Sequence, residues 1–231
     1  MNWLLLALTI GPGMLILGWV YLKDRYEKEP LTLVALCLLA GLLSPLAVLY
    51  FNLLWQNAGF GVSRNWLDTA LYAYVSVGLT EEGVKWLLLL LVAYPRKDFN
   101  EPFDGIVYAV AVSMGFAISE NLLYVFYNSQ PHEAYWVAIL RGFTAVPAHA
   151  TFAIVMGYFV GISKFSPMRP VYLALGLLSA VFFHGSYDFF LFLRNIPGIS
   201  IGAFLSLYFG IRLSRRAILM HQKDSPFRLK F

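Results

Sequence analysis

The chain alternates between long apolar blocks and short polar interruptions, and nowhere shows the every-second-residue alternation of a strand. Seven blocks stand out, covering residues 3–22, 31–55, 67–94, 105–127, 135–163, 171–193 and 199–213. At a rise of about 1.5 Å per residue, some 20 residues of helix cross a hydrocarbon core of about 30 Å. Each block therefore predicts a membrane-spanning helix. A membrane barrel would instead show alternating ten-residue segments, and none is visible. Proline predicts two irregularities, a kink at Pro45 and a loosened turn ahead of His149 at Pro147. The interruption at 56–66 is polar and contains glycine, and it leaves room for an eighth, short or re-entrant helix. No basic stretch precedes the first block and no small-residue cleavage pattern follows it, so it is expected to be a retained span.

Composition agrees with this pattern. Of 231 residues, 59% are apolar and 13% charged. Soluble domains carry about 25% charged residues, and the mean hydropathy of +0.66 lies on the membrane side. Cys37 is alone, which excludes an internal disulfide and a cysteine metal cluster. The expected fold is an all-α, polytopic membrane bundle of about seven spans. Residues 1–213 form one membrane domain and 214–231 a basic tail.

The lysines and arginines orient the bundle. The loop after the first span holds Lys23, Arg25 and Lys28, and the next holds Arg64 alone. Arg96 and Lys97 follow the third span, and the loop after the fourth has none. Lys164 and Arg169 follow the fifth span and Arg194 the sixth. Arg212, Arg215, Arg216, Lys223, Arg228 and Lys230 close the chain. Basic loops stay in the cytosol, which predicts an outside N-terminus and a cytosolic C-terminus. The basic end beside the last span fits anionic lipid headgroups rather than nucleic acid.

Polar residues inside the blocks carry the chemical signal. Each acidic or basic group at a helix centre costs roughly 2.5–3.5 kcal/mol on insertion scales, yet the third block holds Glu81, Glu82 and Lys85. Counted from the cytosolic ends of their spans, Glu81 lies roughly 20 Å up, Glu120 22 Å, His149 21 Å and His184 20 Å. Four ionisable residues from four helices thus share one layer. Glu81 with Lys85, Phe116 with Glu120, and His184 with Asp188 are each four apart and share a helix face. Glu82 points about 100° from Glu81, so one of the two is expected to face the centre and the other to pair with Lys85 or a neighbouring helix. Gly83 and Gly185 suggest close backbone approach beside these groups. Asn121, Ser113, Ser119 and Thr144 read as packing hydrogen-bonders, and Arg141 as a snorkelling side chain. His132 and His221 receive no role. Taken singly, a membrane histidine is a satisfied hydrogen-bonder and Glu81–Lys85 a structural ion pair. Taken jointly, the layer resembles a hydrolytic site.

The motifs that carry this layer also resemble a known family. Glu81-Glu82-Gly83-Val84-Lys85-Trp86, Phe103-Asp104-Gly105-Ile106-Val107-Tyr108, Gly115-Phe116-Ala117-Ile118-Ser119-Glu120-Asn121, His149-Ala150 with Gly157-Tyr158, and His184-Gly185-Ser186-Tyr187-Asp188 are similar to the PrsW family of intramembrane proteases. Tyr21-Leu22-Lys23-Asp24 with Glu29-Pro30 extends the likeness to about residues 11–190. The resemblance implies a multi-pass protease of the bacterial plasma membrane that makes the first cut in a single-span, membrane-anchored anti-sigma factor. The family is distantly similar to the CAAX-processing and bacteriocin-processing superfamily, with motifs EExxxR, FxxxH and HxxxN. Here the first motif appears as Glu81-Glu82 with Lys85, and the second as Phe116 with Glu120 in place of the histidine. His184 with Asp188, or less closely His149 with Ala153, stands for the third motif.

The resemblance implies two mechanisms. Without metal, Glu81 or Glu82 activates water, His149 or His184 polarises the carbonyl, and Asn121 assists. With a zinc-like divalent metal, His149, His184 and Glu120 are the ligands, Asp188 orients His184 and Glu81 remains the base. No HExxH motif is present, and the metal-free version is slightly favoured. A proton-coupled transporter or channel, or a non-catalytic membrane scaffold, remains the alternative, since both also place carboxylates and histidines at mid-depth.

Overall fold

A computed structural model describes residues 2–63, 65–193, 196 and 198–228. Arg64, Arg194, Pro197 and Lys230, which entered the reading of loops and turns, lie outside the described residues. Among the described residues ten α-helices follow one another: α1 Trp3–Lys23, α2 Leu31–Leu43, α3 Pro45–Asn57, α4 Trp66–Leu71, α5 Thr80–Val92, α6 Pro102–Leu123, α7 Ala134–Phe143, α8 Ala145–Phe165, α9 Arg169–Phe192 and α10 Ile201–Asp224. Two π-helical segments are inserted, Tyr72–Leu79 between α4 and α5 and Tyr124–Asn128 after α6. No strand occurs among the described residues.

Five helical segments are long and apolar enough to cross a membrane: Trp3–Lys23, Leu31–Asn57, Pro102–Asn128, Ala134–Phe165 and Arg169–Phe192. They coincide with the predicted first, second, fourth, fifth and sixth spans. The third predicted span, 67–94, is helical as far as Val92, but its charged residues set it apart from the other five. Past Asn57, the described residues of the 56–66 interruption form no helix until Trp66, where α4 begins.

Both proline irregularities are present, with local causes. Pro45 has no N–H to give the Gly41 carbonyl. That oxygen accepts instead from the Ser44 N–H at 3.1 Å and the Ser44 hydroxyl at 2.6 Å, and α2 ends as α3 begins. Pro147 cannot bond the Phe143 carbonyl, and the helix breaks at Thr144 (φ −121°, ψ −69°), dividing the fifth predicted span into α7 and α8. The last helix is longer than its apolar block. It continues past 213 to Asp224, because Ala217, Ile218, His221 and Gln222 are buried. The imidazole of His221 stacks on Tyr158 at 4.4 Å and its Nε2 lies 3.0 Å from the Tyr158 carbonyl.

α6 is the axis of the molecule, buried continuously from Phe103 to Ile118. Lipid tails are as apolar as leucine, so helices gain little from hiding apolar surface here; close packing through small residues does the work. A Cβ on Gly115 would stand 2.1 Å from the Leu38 carbonyl, and one on Gly41 1.9 Å from the Val112 carbonyl, so α2 and α6 touch backbone to backbone. Gly105, Gly157 and Gly161 seat α8 on α6 in the same way. Large apolar side chains such as Trp3, Leu15, Leu46, Leu91 and Phe143 face outward, as a lipid-exposed surface requires.

Candidate active site

The layer inferred from depth is assembled in the structure. α5 supplies Glu81, Glu82 and Lys85, α6 Glu120, α8 His149 and α9 His184 and Asp188. The π-helical segment Tyr72–Leu79 leads directly into the acidic pair, and its wider turn resets the azimuth at which Glu81 and Glu82 emerge. Both carboxylates reach the centre, whereas the 100° divergence predicts only one. His184 bridges the gap because its nitrogens lie on different edges of the ring. Nδ1 is 2.8 Å from Glu82 Oε1 and Nε2 is 3.8 Å from Glu81 Oε2. Asp188 reaches back one turn to within 3.3 Å of His184 Nε2.

Lys85 lies at the middle of the cluster. Its ammonium donates to Glu82 Oε1 at 2.7 Å and to Glu81 Oε2 at 3.5 Å, and stands 3.2 Å from His149 Nδ1. It also lies 4.0 Å above the Phe116 ring, a cation–π contact strengthened by the dry surroundings. A buried charge is tolerable only when paired and hydrogen-bonded, and Lys85 at 2% exposure is both. His149 turns its other nitrogen to Glu120, with Nε2 at 2.9 Å from Oε2. An ionised carboxylate can only accept and an ammonium can only donate. Nε2 therefore carries the proton and Nδ1 presents its lone pair to the cluster. The His149 and His184 rings meet nearly at right angles with centroids 5.3 Å apart, and Phe152 stacks on His184 at 5.0 Å.

Four residues bring one donor atom each to within 4.8 Å of the others: Glu81, Glu82, His149 and His184. Glu120, expected among the ligands, is not of this set. It sits one hydrogen bond behind His149 and is also bound by Arg141 Nη2 at 2.7 Å. Arg141 accordingly does not snorkel. Its Nε donates to Asn121 Oδ1 at 2.8 Å, and its guanidinium lies 4.0 Å over the Tyr124 ring. Asn121, expected to assist at an oxyanion, instead donates to the Thr9 carbonyl at 3.3 Å and ties α6 to α1. Gly83 has nothing within 4 Å of a would-be Cβ, so no close approach requires it there; Gly185 is different, its would-be Cβ 2.3 Å from the Tyr74 ring. Arg141 is the polar group that sequence reasoning misjudged most, because its partners lie on another helix.

A cavity of about 500 Å³ adjoins the cluster. Glu81, Glu120, His184, Asp188 and Arg141 are on its wall, together with Tyr72, Phe116, Tyr124 and Tyr187. Glu82, Lys85 and His149 lie behind that wall. The cavity is mostly apolar and of the size of known ligand pockets. Such a place can exclude bulk water, hold an extended peptide segment and present a carboxylate to a single water molecule.

This geometry defines a class: a membrane-embedded hydrolase with acidic and imidazole groups facing a chamber within the helix bundle. Comparison with known proteins makes the class specific. Residues 29–213 match the model of the PrsW family intramembrane metalloprotease. The chain is 36% identical to Protease PrsW of Geobacillus kaustophilus (strain HTA426), over 87% of this chain and 85% of that protein. It is 35% identical to Protease PrsW of Bacillus subtilis (strain 168), over 81% and 82%. It is 37% identical to Protease PrsW of Clostridioides difficile (strain 630), over 82% and 80%. No solved structure matches the chain. The chain belongs to the PrsW family and is a multi-pass membrane protease.

Proposed function

We propose that the chain is an intramembrane endopeptidase that cuts a single-span, membrane-anchored protein of the anti-sigma-factor type, with Glu81 as the water-activating base. The observation that carries this reading is the meeting of Glu81, Glu82, His149 and His184 within 4.8 Å beside a chamber in a chain of this family. Glu81 rather than Glu82 is the base because Glu81 lines the chamber. Glu82 is fully buried and its Oε1 is engaged by both Lys85 and His184.

In this reading each group has one task. The Glu81 carboxylate takes a proton from water as its oxygen attacks the scissile carbonyl. His184, held between Glu82 and Asp188, donates to the leaving amine. Arg141 spends Nε and Nη2 on Asn121 and Glu120 and keeps further N–H groups for a substrate carbonyl or the developing oxyanion. Lys85 balances the acidic pair, and Glu120 fixes the ring of His149.

The metal in the family's description fits these residues. Two imidazoles and two carboxylates converge, and Glu82 Oε2 is buried with no hydrogen-bond partner. His149 Nδ1, His184 and Glu82 would hold a zinc-like divalent ion. Such an ion acidifies bound water and polarises the carbonyl.

We further propose seven spans, adding residues 67–94 and 199–213 to the five. The N-terminus is outside and the basic end of the chain, 214–231, is cytosolic. A transporter has no counterpart in a family of proteases, and the protease reading is adopted. Co-expression with single-span membrane proteins tests it. Shortening of a substrate is expected with the wild-type chain and not with Glu81→Gln. Shortening that persists with Glu81→Gln at equal expression rejects the assignment.

A further inference from the structure

Glu29-Pro30 and Phe103-Asp104-Gly105 are not used by the site above, yet the fold brings them together. They meet at the far end of α6: Asp104 and Glu120 are sixteen residues apart, roughly 24 Å along the helix. There Asp24, Glu29, Glu101 and Asp104 are each at most 2% exposed. The Asp104 carboxylate closes the start of α6, with Oδ2 accepting from the N–H groups of Asn100 at 2.7 Å and Glu101 at 2.8 Å. Tyr108 donates its hydroxyl to Glu29, and the Glu29 and Asp104 carboxyls lie close enough to act on each other. The Glu101 and Glu29 carboxylates are the charges that act most strongly on Asp24, and Glu27 acts on Glu101.

Among the described residues no ion pair offsets these acids, and Lys28 acts on Asp24 only from a distance. Among the described residues, no Lys, Arg or His nitrogen lies within 4 Å of a carboxylate oxygen of Asp24, Glu27, Glu29, Glu101 or Asp104. Lys28 is beside them but donates to the backbone carbonyls of Tyr21 and Asp24. The second observation is unpartnered oxygen. Among the described residues, both carboxylate oxygens of Asp24 are buried without a hydrogen-bond partner, and so are Glu27 Oε2, Glu101 Oε2, Asp104 Oδ1 and Asn100 Oδ1. Oxygen ligands alone, several of them anionic, are the chemistry of hard divalent cations. The acids do not close to the 4.8 Å of the other cluster, so an ion here keeps some of its water, as magnesium habitually does.

We propose that Asp24, Glu101, Glu29 and the Asn100 amide form a second cation site, for a partly hydrated hard divalent ion of the magnesium or calcium type, joining the α1–α2 loop to the start of α6. An ion there ties two segments together, beside the point where Gln222 of α10 bonds the Lys23 carbonyl at 2.5 Å. The site is independent of the catalytic reading.

The test uses the full chain in detergent, stripped with chelator and titrated at pH 8 with MgCl₂ or CaCl₂ while thermal unfolding is followed. A rise in Tm of about 5–10 °C is expected at a hundredfold excess over Kd. The rise should vanish in Asp24→Asn/Glu101→Gln and persist in Glu82→Gln. Neutralising unpaired acids removes repulsion, so the double variant should fold. Terbium luminescence sensitised by Tyr108 and displaced by CaCl₂ gives a second readout on the wild type. The proposal is overturned if neither ion shifts Tm up to about 10 mM, if the shift survives in the double variant, or if only pH and not the ions moves stability.

Discussion

His149 and Glu120 are joined by a 2.9 Å hydrogen bond from Nε2–H to Oε2, and this bond decides which face of the imidazole the catalytic cluster meets. With Nε2 occupied, Nδ1 is left to face Lys85 and the acidic pair. Glu120→Gln keeps the shape but replaces an anionic acceptor with a neutral amide. Partners of this kind behind a ligating or catalytic histidine are worth about 10–100-fold in affinity or activity. The expected outcome is a 10–100-fold lower cleavage rate with little change in Tm, read in parallel rate and melting measurements.

Removing the acid altogether has a different effect. Glu120→Ala strands the Arg141 guanidinium, whose Nη2 it accepts at 2.7 Å. Breaking one partner of a buried pair costs about 3–5 kcal/mol. Glu120→Ala should melt well below Glu120→Gln, and Glu120→Ala/Arg141→Met should recover part of the loss. A double-mutant cycle on Tm checks this, and equal melting of all three variants would count against a structural pair.

The glycines of the bundle predict a sharp contrast. Gly115→Ala drives a Cβ into the Leu38 carbonyl at 2.1 Å, backbone against backbone. Overpacking of this kind costs about 1–3 kcal/mol. Gly83→Ala meets nothing within 4 Å and removes a helix-weakening glycine, worth up to about 1 kcal/mol in the other direction. Melting in detergent should place the two variants on opposite sides of the wild type.

The far acidic cluster predicts a pH dependence in chelator-treated protein. Burial, then the nearby Glu101 and Glu29 carboxylates, pushes the Asp24 carboxyl from 3.8 up to about 7. Burial does the same to Glu29, from 4.5 to about 7. Between those values the folded chain holds protons that the unfolded chain has released, so stability falls as pH rises through the window. Asp24→Asn should flatten the profile. A Tm that stays level or rises from pH 5 to pH 7.5 in the wild type would contradict this.

Much of the site was legible because a membrane fixes depth. The charges of Glu81, Glu82, Glu120, His149 and His184 stand out against apolar neighbours, and counting residues along each helix gives their level. Counting does not give azimuth. The π-helical segment before Glu81, the bridging by His184 and the placement of Glu120 behind His149 depend on how helices turn and face one another. Arg141 was misread for the same reason: a lone cation near a span end looks like a snorkelling group until α7 is placed beside α6. The buried end of α10 was hidden by its composition, since Arg215, Arg216 and Lys223 give it the polarity of a tail while Ala217, Ile218 and His221 pack inward. The cluster around Asp24 and Asp104 resembled ordinary loop charge because burial is not written in a run of acidic residues.

The central claim is that Glu81 activates the water that cuts the peptide bond. It is tested most directly by purifying wild-type, Glu81→Gln and Glu82→Gln proteins, confirming equal melting, and measuring cleavage of one single-span reporter in proteoliposomes. Loss of a positioned general base costs about 10²–10⁴-fold, and that loss is expected for Glu81→Gln. A Glu81→Gln protein that cleaves at the wild-type rate would contradict the account.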